Sequence, residues 1–308
     1  MLLNKFTTTE LYDAGVFGPY KMSKVAIALT KLGRGTVTRQ NVAYWRKTQP
    51  GPTAADKAKD YLKIIVIADT QNKPTEDLDY MRWIGLYIAD KKPDVVVHIG
   101  DNWDFPSLSM YDKGKKSFEG RRLVEDIAVG SKGMRVLTDA ITSKGHTPRL
   151  VFCMGNHEER IDRLAENIPE LSGFVGTELL PLNELGWEVA PFLQPIEIGG
   201  IYFVHFLANP MSGKPYGGGA LNQLQKVGKS FVVGHAQKLD IAIRNTLDGT
   251  QQIGIVNGAC YPFNERYKGP QGNAHFRGIT VLHEVHKGSA VPMFVSLDYL
   301  ERKYGRVV

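Results

Sequence analysis

Val95-Val96-Val97-His98-Ile99-Gly100-Asp101-Asn102-Trp103-Asp104 is an apolar, mostly β-branched run that stops at glycine and aspartate. Such a run reads as a buried strand that delivers a carboxylate at its C-terminal end. Four other runs stop in the same way. Ile64-Ile65-Val66-Ile67-Ala68 leads into Asp69, and Leu150-Val151-Phe152-Cys153-Met154 leads into Gly155-Asn156-His157-Glu158. Tyr202-Phe203-Val204 leads into His205, and Phe231-Val232-Val233 into Gly234-His235. A lone Asp after a strand is more often a turn former, and a lone His more often a core residue. Five stops in the order Asp, Asp, Asn-His, His, His describe a metal centre built at strand ends, because carboxylate, amide oxygen and imidazole are the donors a divalent ion takes.

Helical stretches from Leu78 to Ala89, Leu123 to Thr142 and Glu159 to Asn167 alternate with the first strands. Later the pattern is mostly strand: Ile196 to Val204, Phe231 to Val233, Gln252 to Val256, Gly278 to Val285 and Val291 to Leu297, with few helices between. Alternation first and strands later predict an α/β (α+β) fold of two packed mixed β-sheets flanked by helices.

The chain has 308 residues, 43% of them hydrophobic, enough for a sizeable core. Its formal net charge of +6 is matched by residues 1–60, which carry ten Lys or Arg against four Asp or Glu. The remaining residues balance. This asymmetry points to an N-terminal segment that meets a polyanion, with solvated surface charge as the alternative. The two cysteines, Cys153 and Cys260, lie in apolar runs and support neither a disulfide framework nor a thiolate zinc site. With no apolar stretch of signal-peptide or membrane-span length, the expected setting is the cytoplasm and no membrane is expected as a partner.

Thr48-Gln49-Pro50-Gly51-Pro52-Thr53 cannot continue a helix, so the expected organisation is a helical domain at 1–50, a linker at 51–61 and a catalytic domain at 62–308. In the first, Ser23 caps a helix whose apolar face includes Val25, Ala28, Leu29 and Leu32, and Thr38 caps a second with Val42 and Trp45 inward. The pair resembles a repressor-type helix-turn-helix, which would present Arg39, Gln40 and Asn41, with Arg46 and Lys47 behind them, to DNA. The turn at Arg34-Gly35-Thr36 is long for that motif, and a helical pair serving packing or assembly is the alternative.

From about Lys63 to Val285 the chain resembles the calcineurin-like metallophosphoesterases. Their pattern is Asp-x-His, Gly-Asp-x-x-Asp, Gly-Asn-His-Glu/Asp, a lone His and Gly-His-x-His. Here stand Asp69-Thr70-Gln71, Gly100-Asp101-Asn102-Trp103-Asp104, Gly155-Asn156-His157-Glu158, His205 and Gly234-His235-Ala236-Gln237. The resemblance implies a four-layer αββα sandwich with two divalent ions. One would be held by Asp69, Gln71, Asp101 and Gln237, the other by Asp101, Asn156, His205 and His235. It also implies His157 as proton donor to the leaving oxygen and Asp104 as its orienting carboxylate.

Gln71 and Gln237 stand where the family has histidine, both on the same ion. Replacing imidazole nitrogen by amide oxygen shifts that site from Zn²⁺ or Fe toward Mn²⁺ or Mg²⁺. Mn²⁺ is the expected ion. The site either fills weakly or stays empty beside a single ion. Phage-encoded family members tend to carry glutamine at these two positions, which implies an inherited design.

The stretch from Trp103 to Arg122 is rich in aromatic and basic residues. Trp103 and Tyr111 are candidates for stacking a base, with packing on the domain as the alternative, and Arg160 for reaching a phosphate, with capping or pairing to Glu159 or Asp162 as the alternative. His98, His146, His275, His283 and His286 are assigned to packing or surface. The expected activity is a metal-dependent phosphodiesterase or nuclease acting on DNA. Its rivals are a phosphomonoesterase acting on nucleotides or phosphoproteins and a catalytically weakened DNA-binding scaffold. Oligomeric state has no signature in the sequence.

Overall fold

The computed structural model describes residues 61–305, together with Ala26, residues 29–32, residues 36–38 and Val42. The chain divides into two units, 1–61 and 62–308. In the first, Ala26, Leu29, Val37 and Val42 are buried, and the Val42 amide donates to the Thr38 carbonyl one helical turn back. Leu32, expected on the apolar face, is instead 45% exposed. Arg39, Gln40, Asn41, Arg46 and Lys47 lie outside the described residues.

The second unit runs β1 (Leu62–Ile67), α1 (Asp79–Lys91), β2 (Val95–His98), α2 (Leu123–Thr142), β3 (Arg149–Cys153), α3 (Glu159–Asn167) and β4 (Glu188–Ala190). It continues with β5 (Ile196–Ile198), β6 (Ile201–Phe203), α4 (Ala220–Val227), β7 (Phe231–Val233), β8 (Asp240–Asn245) and β9 (Gln251–Val256). A short α5 (Gly269–Asn273), β10 (Gly278–His286), β11 (Ser289–Ser296) and α6 (Leu297–Tyr304) complete it. Six strands form one sheet in the order β11-β10-β1-β2-β3-β4, and five form the other in the order β5-β6-β7-β9-β8. Both are mixed. β1 to β4 run parallel, as do β6, β7 and β9, so their C-terminal ends gather on one side.

The apolar runs lack polar alternation because both faces of these strands are covered. Ile64, Val66 and Ala68 of the first run pack with Val97, Val151, Ile201, Phe203, Val232 and Ile255 between the sheets. Ile65 and Ile67 face the other way, with Tyr80, Ile84, Ile88, Leu137 and Leu300 from α1, α2 and α6. Phe231 and Val233 turn outward under Ala220 and Leu224 of α4. The result is helix, sheet, sheet, helix. Each buried Ile or Leu contributes roughly 1.5–3 kcal/mol of transfer free energy.

The stretch Ile196 to Val204 is a hairpin rather than one strand. Gly199 and Gly200 both have positive φ, 61° and 85°, and Ile198 pairs with Ile201 across them. Two left-handed residues at a two-residue turn match strand twist, and glycine carries no Cβ to oppose it. β4, α4, β8, α5 and α6 have no counterpart among the elements expected from the sequence. β8 lies at a sheet edge and α6 is two turns long, so neither imposes a strong pattern.

Candidate metal centre

The site begins with backbone conformation at the strand ends. Asp69, Gln71, Asp101, His235 and Gln237 have φ of 49°, 44°, 54°, 65° and 50°, five of the ten non-glycine residues with positive φ among the described residues. Each such turn costs about 1–3 kcal/mol, so their concentration at the candidate ligands marks a strained, over-determined site. Two parallel loops share the constraint. Asp69 N donates to Gly100 O at 3.2 Å, Gln71 N to Asp101 O at 2.9 Å, Asn72 N to Asn102 O at 2.7 Å and Asp104 N to Asn72 O at 3.1 Å.

Glu158 is the hub of the second loop. Its buried carboxylate accepts backbone N–H groups from Asp101 (2.9 Å), Asn102 (2.7 Å), Trp103 (3.0 Å) and Gly155 (2.9 Å). Burial and the neighbouring Asp101 push its carboxyl above the ordinary value, opposed by the amides of Trp103 and Asp101. From its sequence position this residue reads as a helix-start residue, yet it makes no cap to α3 and holds another loop. Helix α2 presses on the same loops through two glycines. A Cβ at Gly130 would lie 2.0 Å from the Trp103 ring and one at Gly133 2.4 Å from the Asn72 amide.

Four donors converge beyond β2, β3, β6 and β7. His205 Nδ1 lies 2.7 Å from the Ile99 carbonyl, which holds that nitrogen protonated and turns Nε2 to the site, where its lone pair is free for a metal once the ring is neutral. Nε2 is 3.3 Å from Asp101 Oδ2 and 2.9 Å from Asn156 Oδ1, and the same amide oxygen is 2.7 Å from His235 Nδ1. The ligand atoms of Asp101, His205 and His235 lie within 4.8 Å of one another. Asp69 Oδ2 accepts from the His235 amide at 3.0 Å, whereas its Oδ1 is buried without a hydrogen-bond partner. Acceptor atoms crowded together, with one orphaned carboxylate oxygen beside them, fit a cation.

Electrostatics agree with that fit. Burial raises the Asp69 carboxyl to about 7 against the opposing charge of His205. Burial also opposes ionisation of Asp101, but the imidazoles of His157 and His205 outweigh it and hold the carboxyl below its ordinary value. Burial lowers the His205 pKa and the Asp101 carboxylate raises it, with a result of about 9. His235 falls to about 4 through burial and His205. A positive imidazole thus stands where a divalent ion would supply charge. With an ion bound, both rings serve as neutral donors.

The other side of the pocket differs. Gln71 is 3% exposed, and Gln237 Oε1 accepts hydrogen bonds from Tyr261 Oη at 2.9 Å and from the Lys268 ammonium. Lys268 Nζ also lies 2.9 Å from Tyr261 Oη. Neither Tyr261 nor Lys268 stands out in the sequence, since both lie in an irregular segment with no motif spacing.

His157 Nδ1 is 3.2 Å from Asp104 Oδ1 and its Nε2 is 3.7 Å from Asp101 Oδ2. Burial lowers the pKa of His157 and the two carboxylates more than reverse this, so the imidazolium is favoured. Tyr111 is 87% exposed, available to a ligand. Trp103 is not. It is fully buried against Phe152 with its indole N–H 3.3 Å from the Ile127 carbonyl, so the expected stacking role is corrected to a core role. Arg160 Nη1 donates to the Asp104 carbonyl at 2.9 Å, so this half-buried side chain braces the Asp104 turn through one of its nitrogens. His98, assigned to packing, is buried with Nε2 3.1 Å from Thr70 Oγ1.

Residues 62–273 match the family model of the calcineurin-like phosphoesterases. Among curated proteins, the Gene 54 protein of Mycobacterium phage L5 is 30% identical over 184 residues, 58% of this chain and 70% of that protein. The Gene 54 protein of Mycobacterium phage D29 is 28% identical over the same shares. With its strand-end donors, its paired sheets and a match across most of its length, the chain belongs, as a phage-type member, to the calcineurin-like phosphoesterase family, hydrolases of phosphoesters that use divalent metals.

Proposed function

We propose that the protein hydrolyses phosphodiester bonds in nucleic acid, DNA being the favoured substrate, in the cytoplasm of a phage-infected cell. The observation that carries the hydrolase reading is the placement of His157 between Asp104 and Asp101, next to the donors of Asn156, His205 and His235. Asp101, Asn156, His205 and His235 would hold a divalent ion, with Mn²⁺ favoured. When bound, that ion supplies Lewis acidity toward phosphoryl oxygens and toward water.

The chain's own groups do the rest. Asp104 stands at the Nδ1 edge of the His157 ring, and Asp101 favours its protonated form, so His157 delivers a proton to the departing oxygen. Glu158 keeps the Asp101 turn rigid so that this geometry precedes substrate arrival. The DNA preference is supported by the basic surplus of residues 1–60 and by the exposed Tyr111 on the loop after Asp101.

Incubation with Mn²⁺ and either a bis-aryl or a mono-aryl phosphate tests the reaction class, with linear, circular and single-stranded DNA as physiological candidates. Faster turnover of the diester is expected, with DNA cleavage, whose leaving oxygen needs a proton, lost in His157→Ala. Preference for the monoester would favour a phosphomonoesterase, and no turnover of either a scaffold. Removing residues 1–50 should weaken duplex binding and flatten its salt dependence.

A further inference from the structure

We propose that Lys268 replaces one of the two cations. Its ammonium works at the Gln71–Gln237 side of the pocket, so the chain takes one divalent ion, at Asp101, Asn156, His205 and His235. The catalytic half of the proposal rests on the phosphoesterase reading; the one-ion half does not.

An amide oxygen offers two lone pairs. Those of Gln237 Oε1 are both engaged, by Tyr261 Oη and by the Lys268 ammonium. A metal ion here would have to displace one of them. Gln71 and Gln237 are neutral oxygen acceptors, well suited to an ammonium and weaker than imidazole toward a transition metal. Across the pocket the only grouping of three acidic, imidazole or thiol ligands among the described residues is Asp101, His205 and His235. Asp69 stands outside it, with Oδ1 buried and unpartnered. A second divalent ion at Gln237 would face the Lys268 ammonium as a like charge.

The lysine is held in place by what surrounds it. Its Nζ lies 5.7 Å from the Tyr261 ring centroid and 5.8 Å from that of Tyr267. The segment carrying it is fixed on both sides. Lys73 pairs with Glu265 at 2.8 Å, and Asn273 accepts from Glu265 N and donates to Glu265 O and Gly269 O, each at 2.8 Å. An ammonium has three donors. Two are used on Gln237 and Tyr261, which leaves one for a phosphoryl oxygen.

The experiment is Mn²⁺ titration of the full chain by calorimetry, with metal content after desalting, alongside bis-aryl phosphate turnover. Wild type is expected to bind one ion per chain. Lys268→Ala should keep that ion with unchanged affinity while kcat/KM falls about a hundredfold, the loss typical of a transition-state hydrogen-bond donor. Lys268→Ala combined with Gln71→His and Gln237→His should bind two ions. Two ions on the wild type, or a Lys268→Ala variant with unchanged kcat/KM, would overturn the proposal. One ion on a wild type that turns over neither ester would instead sink the hydrolase reading while the stoichiometry stood. Because stoichiometry is read on the wild type, a variant that failed to fold would not spare the proposal.

Discussion

The two halves of the pocket share a backbone and differ in donors. His235 and Gln237 both leave the end of β7 in left-handed turns, as Asp69 and Gln71 leave β1. On one half, the facing atoms of His205, His235, Asn156 and Asp101 crowd together, His205 being held from behind by the Ile99 carbonyl and Asp101 by the His157 amide. On the other, the Gln237 oxygen is satisfied by a tyrosine and a lysine. Costly turns persist where the imidazoles have gone. The scaffold therefore serves a cation on both halves, and the side chains decide which cation.

The largest expected effect comes from the residue common to both halves. Asp101→Asn should abolish ion binding and, since the ion's charge is worth several kcal/mol in the transition state, reduce turnover on the order of a thousandfold. Calorimetry and kinetics on the same preparation check both. His157→Ala should spare ion binding and slow DNA cleavage about a hundredfold or more, with a smaller loss on aryl esters whose leaving oxygen needs no proton. Equal losses on both substrates would place His157 outside proton transfer.

Two changes in the shared scaffold follow. Glu158→Gln replaces a carboxylate under four N–H groups by an amide with one acceptor oxygen and a clashing NH₂, and should cost about 3 kcal/mol in a urea melt. Gly130→Ala drives a methyl into the Trp103 ring and should cost about 1–3 kcal/mol while loosening the Asp101 turn. An unperturbed melt for either variant would show that the loops are not held as described.

The smallest effect serves as a remote control. Asp90 on α1 is held below its ordinary pKa by hydrogen bonds from Lys144 and Tyr304. A depressed folded value means that the contribution is present above the unfolded pKa of about 3.9 and is lost as pH falls through the folded one. Asp90→Asn should therefore cost a few tenths of a kcal/mol at neutral pH and nothing at strongly acid pH, without touching ion binding. Paired melts at the two pH values test this.

The sequence by itself determined the strand-end donors, their order, the alternation of strand and helix, and the bounds of α2 and α3. These are local patterns: a β-branched run, a helical period and a terminal Gly-Asp are each written within a few consecutive residues. Only the tertiary structure decided that Glu158 organises the Asp101 loop, that Trp103 is core, that Arg160 braces a turn and that Lys268 meets Gln237. Those contacts join residues 24 to 57 positions apart. No periodicity links such partners. Whether a charged or aromatic side chain meets solvent, carbonyl or carboxylate depends on which loops the folded sheets bring together.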